Sequence, residues 1–197
     1  PHGRGPALLA GLMAALGAWT KNEGLLFFLV LTASIALCAA RRAELKARAG
    51  AVRDFVIGAA AVLAIVWFFK HGATVTNDLV GSASGNFAGR LADTHRHWVT
   101  FWAMAGESLT FGNYIVPPAI VFGVWLGVNK LRRPIRGAWL IPIVAAVMQL
   151  AGYYVVYISG STDVHWQIDT SVARIMMHVW PLCLFGVFLI TAPFEKE

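Results

Sequence analysis

Thr20-Lys21-Asn22-Glu23-Gly24 stands between two apolar runs, Ala7–Trp19 and Leu25–Ala40. Four of its residues are polar, and two of these, Lys21 and Glu23, are charged. A charge at bilayer depth is costly, and such residues are kept mainly where they line a pathway or a site. The meaning of the break therefore depends on which side of a membrane it faces and on what else gathers there.

Working outward, apolar segments recur along the whole 197-residue chain, at about 7–20, 24–40, 55–70, 112–129, 138–158 and 175–193. The composition is 58% hydrophobic and only 13% charged, with a mean hydropathy of +0.64. A soluble helical core of this size needs polar faces on its helices, and most of these segments have none. The expected fold is an all-α integral membrane protein of about six transmembrane helices in a single transmembrane domain, 1–197. Most segments sit near the short end of the spanning range of roughly 17–25 residues, and the first falls below it.

The connections differ sharply in charge. Arg41, Arg42, Lys46, Arg48 and Arg53 cluster in one, and Lys130, Arg132, Arg133 and Arg136 in another. The positive-inside rule puts both in the cytoplasm. With six spans the two termini then also fall inside, while 21–23, 71–111 and 159–174 fall outside. The inner side carries eleven basic and four acidic residues, net +7, and the outer side five basic and six acidic, net −1, together the +6 of the chain. Its basicity thus belongs to the inner surface and to anionic lipid. No nucleic-acid partner is expected.

Five of the six histidines, His71, His95, His97, His165 and His178, fall on the outer side. There, Phe87, Leu91, Trp98, Trp102, Ala105 and Leu109 recur at helical spacing among charged residues, predicting an amphipathic helix over about 87–110 that lies on the membrane. His95-Arg96-His97 offers no metal site, because residues two apart on a helix face differently and no carboxylate spacing completes one. Cys38 and Cys183 lie in apolar runs near opposite faces and read as small buried residues. No cofactor signature is evident, nothing supports a divalent metal, and no Walker loop, dinucleotide fingerprint or nucleophile elbow occurs.

Two places have the makings of an anion site. In 159–174, Asp169, Thr170 or Ser171 can cap the last helix, which puts Arg174 near its first turn. Arg174 is then either an anion ligand or an interfacial arginine paired with Asp169 or a lipid headgroup. Lys21 and Asn22 stand at the N-terminus of the second helix, opened by Gly24. Lys21 is either a phosphate contact or a snorkelling lysine paired with Glu23. Both cations begin spans on one side of the membrane. Prolines at 117, 118, 142 and 181 imply kinks or broken helices.

Gly11-Leu12-Met13-Ala14-Ala15-Leu16-Gly17-Ala18-Trp19-Thr20-Lys21-Asn22-Glu23-Gly24-Leu25 resembles a segment of polytopic glycosyltransferases with the GT-C fold, relatives of protein O-mannosyltransferases and of the lipid A aminoarabinose transferase. Trp166-Gln167-Ile168-Asp169-Thr170-Ser171-Val172-Ala173-Arg174, with Pro181 beyond it, resembles a W-x-x-x-T-S-x-x-R…P passage near the end of bacterial members. The resemblance implies an enzyme of the bacterial inner membrane that moves a sugar from a polyprenyl-phosphate carrier to an acceptor on the outer, periplasmic face. It makes Lys21 and Arg174 phosphate-binding residues, with Arg90 a third candidate from its outer position. Asn22, Glu23, Asp163 and His165 are candidate polar contacts. The family's acidic catalytic residue lies in the first outer loop, after the first span, and that region has no counterpart here. The chain is accordingly expected to be the C-terminal portion of such an enzyme, inactive alone, with its catalytic acid upstream. The competing readings are a transporter or flippase, and a membrane scaffold without chemistry. For the orientation, cysteines placed at Lys46 and Arg133 are expected to be labelled from the cytoplasm and one at His95 from outside; reversed accessibility overturns it.

Overall fold

The structure, a computed structural model, describes residues 4–38, 42–72, 87–110, 118–131 and 140–192. It is all-α: α1 Arg4–Thr20, α2 Asn22–Leu37, α3 Arg42–Gly72, α4 Phe87–Ala92, α5 Thr94–Thr110, α6 Pro118–Val128, α7 Ile141–Ser159 and α8 Val164–Ile190. One two-residue antiparallel bridge, β1 Lys130–Leu131 with β2 Thr191–Ala192, accompanies the helices. Among the described residues, three helical stretches are long and apolar enough to cross a membrane: Ala49–Gly72, Ile141–Ser159 and Val164–Ile190. They contain the expected segment 55–70 and most of the expected segments 138–158 and 175–193. The 16-residue α2 is a shorter apolar helix. Residues 39–40, 112–117, 138–139 and 193 of the expected spans, and the basic residues at 132, 133 and 136, lie outside the described residues.

The chain packs as two compact units, Pro1–Val75 with Arg136–Gln149, and Thr76–Ile135 with Leu150–Glu197. In the first, α1 and α3 run parallel, side by side, through small residues. A Cβ on Gly11 would collide with the Phe55 carbonyl, and one on Gly58 with the Leu8 carbonyl. Only glycine allows the two backbones to approach this closely, the usual way helices pack where lipid removes the hydrophobic drive between them. Ala14, Ala15, Phe28, Phe55, Ala59, Val62 and Val66 form the core beside this seam. Phe28 of α2 stacks on Phe55, ring centres 5.3 Å apart.

Polar pairs close both ends of this unit. Asp54, only 7% exposed, takes a bidentate bond from Arg53 (3.0 and 2.8 Å) and an ion pair from Arg4 at 3.5 Å. At the opposite ends of α1 and α3, Lys70 Nζ donates to Asn22 Oδ1 at 2.6 Å. Along α3 the large side chains Ile57, Trp67, Phe68 and Phe69 point outward, a surface compatible with lipid.

Two expectations for the second unit are corrected. The helix over 87–110 is two helices, because the Asp93 carboxylate accepts the amides of His95 (3.0 Å) and Arg96 (3.2 Å) and starts a new helix there. The last helix starts at Val164, capped by Asp163 through the Trp166 amide at 3.0 Å, and not by Asp169, Thr170 or Ser171. The Thr170 and Ser171 hydroxyls donate instead to the Trp166 and Gln167 carbonyls one turn back, at 2.7 and 2.6 Å, a habit of helix interiors. Arg174 therefore sits in the third turn of α8, away from its free amides.

For the α1–α3 seam, Gly11→Leu and Gly58→Leu are each expected to destabilise by about 1–3 kcal/mol or more through overpacking. Gly17→Ala, whose Cβ meets open space, should be neutral or stabilising by up to about 1 kcal/mol. Thermal unfolding in detergent micelles checks both.

Candidate functional site

At the end of the second unit where α7 gives way to α8, the last carbonyls of α7 have no amide partner in their own helix. Two arginines from the preceding helices satisfy them. Arg96, 8% exposed, donates through Nε to Tyr157 O at 2.9 Å and through Nη2 to Thr162 O at 2.8 Å. Arg90 donates through Nε to Ser159 O at 3.0 Å. Cations at a helix C-terminus also meet the negative end of its dipole. Burial first, and then the Arg90 charge, lower the Arg96 guanidinium from its ordinary value, while Asp93 and Asp163 act the other way. An arginine starts so far above neutrality that it stays charged.

His97 extends this junction. Its Nε2 lies 2.8 Å from the Leu91 carbonyl and its Nδ1 2.7 Å from the Tyr154 hydroxyl. A carbonyl only accepts, so Nε2 carries the proton, and in the neutral ring Nδ1 accepts from Tyr154. His95 turns elsewhere, its ring centre 5.8 Å from that of His165. The adjacent histidines thus do different things. Among the described residues no three of His, Cys, Asp and Glu gather to hold a metal ion.

Along α8, Ser171, Arg174 and His178 follow at intervals of three and four and share one face. Two tyrosines of α7, themselves four apart, back this stripe. Tyr157 Oη and Ser171 Oγ lie 2.7 Å apart, and Tyr153 Oη lies 3.5 Å from His178 Nδ1. On the other flank of α8, Met176, Trp180 and Cys183 border an open apolar pocket of about 440 Å³, lined also by Phe122 and Leu126 of α6. Phe122 stacks on Trp180 with ring centres 4.9 Å apart.

In the first unit, Lys21 has an extended backbone (φ −154°, ψ 156°) and stands at the N-cap of α2, which no side chain caps. The helix opens at Asn22, two residues before the expected Gly24, and the Gly24 amide bonds Lys21 O at 3.1 Å. The Lys21 side chain is exposed and has no partner among the described residues. Asn22 is engaged by Lys70, and Glu23 lies in the first turn. Lys21, Asn22 and Glu23 thus share one corner of the first unit. Arg90, Asp163, His165 and Arg174 belong to the second. Sequence reasoning missed Lys70, Arg96, Tyr153, Tyr157, Ser171 and His178 as parts of these constellations. Only the helical spacing of Ser171, Arg174 and His178, and of the two tyrosines, was visible beforehand.

No family, curated protein or solved structure matches the chain.

Arg96→Ala would leave the Tyr157 and Thr162 carbonyls without their charged donor. Hydrogen bonds to charged groups are worth about 1.5–3 kcal/mol each, so a clear fall in melting temperature is expected, with faster proteolysis around 160–163. Arg96→Lys should restore only part of it, since one ammonium lacks the fork that reaches both carbonyls.

Proposed function

We propose that the protein acts in a bacterial cytoplasmic membrane as a glycosyltransferase of the GT-C type, taking a sugar from a polyprenyl-phosphate carrier and passing it to an acceptor on the outer face. The observation that carries this reading is the corner built by Lys21, Asn22 and Lys70. An exposed ammonium stands beside first-turn amides that no side chain caps, and a second lysine is held 2.6 Å from Asn22. Uncapped amides and fixed positive charge are the requirements of a phosphate site. Glu23 in the same turn offsets one of the two positive charges.

In this reading the corner binds the phosphate of the carrier and stabilises the charge that grows on it as the sugar leaves, the role in which fixed cations are most effective. The α8 stripe supplies a second cationic place through Arg174, with the His178 ring and hydroxyls from Ser171 and Tyr153 on the same side. Arg90, committed through Nε to the end of α7, serves mainly to hold the junction. The orientation that puts both cationic places outside follows from the charge of the connections. The amphipathic α5, with exposed Trp98 and Trp102, then lies at the lipid headgroups, where tryptophan is favoured. The base that deprotonates the acceptor is not among the residues assigned here.

In the full-length protein, Lys21→Ala and Arg174→Ala are each expected to lower sugar transfer on the order of 10²-fold, the usual effect of removing one group that stabilises developing charge. Lys21→Arg should keep much of the activity, and melting temperatures should stay unchanged. Full activity in both alanine variants would remove the phosphate-site reading and favour a scaffold without chemistry.

A further inference from the structure

We propose that the second unit holds one acyl chain of a membrane glycerophospholipid in a lateral groove between α5, α6, α7 and α8. The pocket of about 440 Å³ beside Trp180 has a neighbour, an open recess of about 380 Å³. Phe101, Met104 and Ala105 of α5 and Ala151, Tyr154 and Val155 of α7 line this recess. The two adjoin, since Ser108 and Leu150 line both. Phe101, Met104, Ala105 and Ser108 are spaced to share one face of α5. Val155, which lines the groove, is also exposed, so the groove opens onto the outward surface of α7, a helix long and apolar enough to cross a membrane.

The walls select a hydrocarbon chain. Among the described residues no charged side chain lines either recess. The Ser108 hydroxyl is spent on Met104 O at 2.7 Å, with Met176 Sδ at 3.4 Å, and the Tyr154 hydroxyl on His97 Nδ1 at 2.7 Å. A sugar or a phosphate entering here would lose its water and find no charged partner and no uncommitted hydroxyl. In a bilayer the hydrophobic effect does not drive the chain in, because it leaves one hydrocarbon for another. The gain is dispersion: walls that face a void lack partner atoms, and a chain supplies them.

Length and placement choose among lipid chains. Along α8 the walls run from Met176 to Val187, about 16 Å at a rise of roughly 1.5 Å per residue. That is close to one leaflet's share of a hydrocarbon core about 30 Å thick. It suits the tail of a lipid that belongs to one leaflet and is too short for a chain that crosses the bilayer. The hydrogen-bonded His97 and Tyr154 mark the polar rim, beside the exposed Trp98 of the surface helix. The headgroup and its esters stay at that level while the chain descends. This assignment rests on helix packing within the second unit and is independent of the glycosyltransferase reading.

The test is native mass spectrometry of the full-length protein released from detergent micelles containing phosphatidylglycerol. The same lipid with a diazirine at the end of one chain serves for photocrosslinking. One lipid retained per protein chain is expected, with crosslinks at Leu126, Cys183 and Val187. Gly123 lines the groove and a Cβ there meets nothing within 4 Å, so Gly123→Leu fills the groove without disturbing α6. Retention should then fall about tenfold or more, the scale on which a few methylenes count in an apolar pocket. Gly127→Leu, on the same helix, with its Cβ also in open space and outside the lining, should keep retention within about twofold. Equal retention in the two variants overturns the proposal. So do crosslinks confined to outward residues such as Phe68 and Phe185, or displacement of the phospholipid by equimolar polyprenyl phosphate, which would make the groove a carrier site.

Discussion

The final carbonyls of α7 can find no amide in their own helix, and the way they are satisfied fixes the second unit. A buried carbonyl left unpaired costs about 1–3 kcal/mol. Here the donors arrive from α4 and α5, through Arg90 and Arg96. Because the Arg96 fork reaches past the end of α7 to Thr162 O, it also fixes the turn that Asp163 closes to start α8. That one guanidinium thus ties the turn leading into α8 to the surface of α5. The surface helix is thereby joined to the long apolar helices by directed hydrogen bonds as well as by its apolar face.

The first unit uses a different principle. Its helices meet where side chains are missing, at Gly11 and Gly58, and the gain is dispersion between closely placed backbones. Polar groups pair in two places, Arg4, Arg53 and Asp54 in one and Asn22 and Lys70 in the other, while the buried Ser34 donates back to the Val30 carbonyl of its own helix. Such a unit has an apolar middle with pairs of charge at the rims, the distribution that a chain with one hydrocarbon layer and two aqueous faces requires.

Much of the helical architecture was legible because hydrophobicity is a local property: the long apolar runs and the turn at Lys21 need no partner to be recognised. The start of α8 was not. Asp163, Asp169, Thr170 and Ser171 are all acceptable caps by residue type, and the choice fell to the earliest once the later hydroxyls bonded back to carbonyls in an existing helix. Asp93 hid a helix break inside an unbroken amphipathic pattern for the same reason: periodicity continues across a cap. Arg96 looked like one more solvated charge, since its partners lie 61 and 66 residues further on. Lys70 looked like a flanking residue until its reach to Asn22, 48 residues away, was seen. What could not be read was in each case a pairing between distant segments.

At 27 residues, α8 is roughly 40 Å long, about 10 Å more than the hydrocarbon thickness of an ordinary bilayer. The surplus must be absorbed by tilt, by projection beyond the lipid, or by a bend at Pro181, whose ring removes the hydrogen bond to the Met177 carbonyl. Arg174 lies ten residues from the helix start, so its distance from the aqueous boundary varies with how the surplus is divided. A thicker membrane draws its guanidinium toward the hydrocarbon, and a thinner one leaves it in water. In any bilayer that α8 crosses, lipid thickness therefore sets how far the Arg174 charge lies from water.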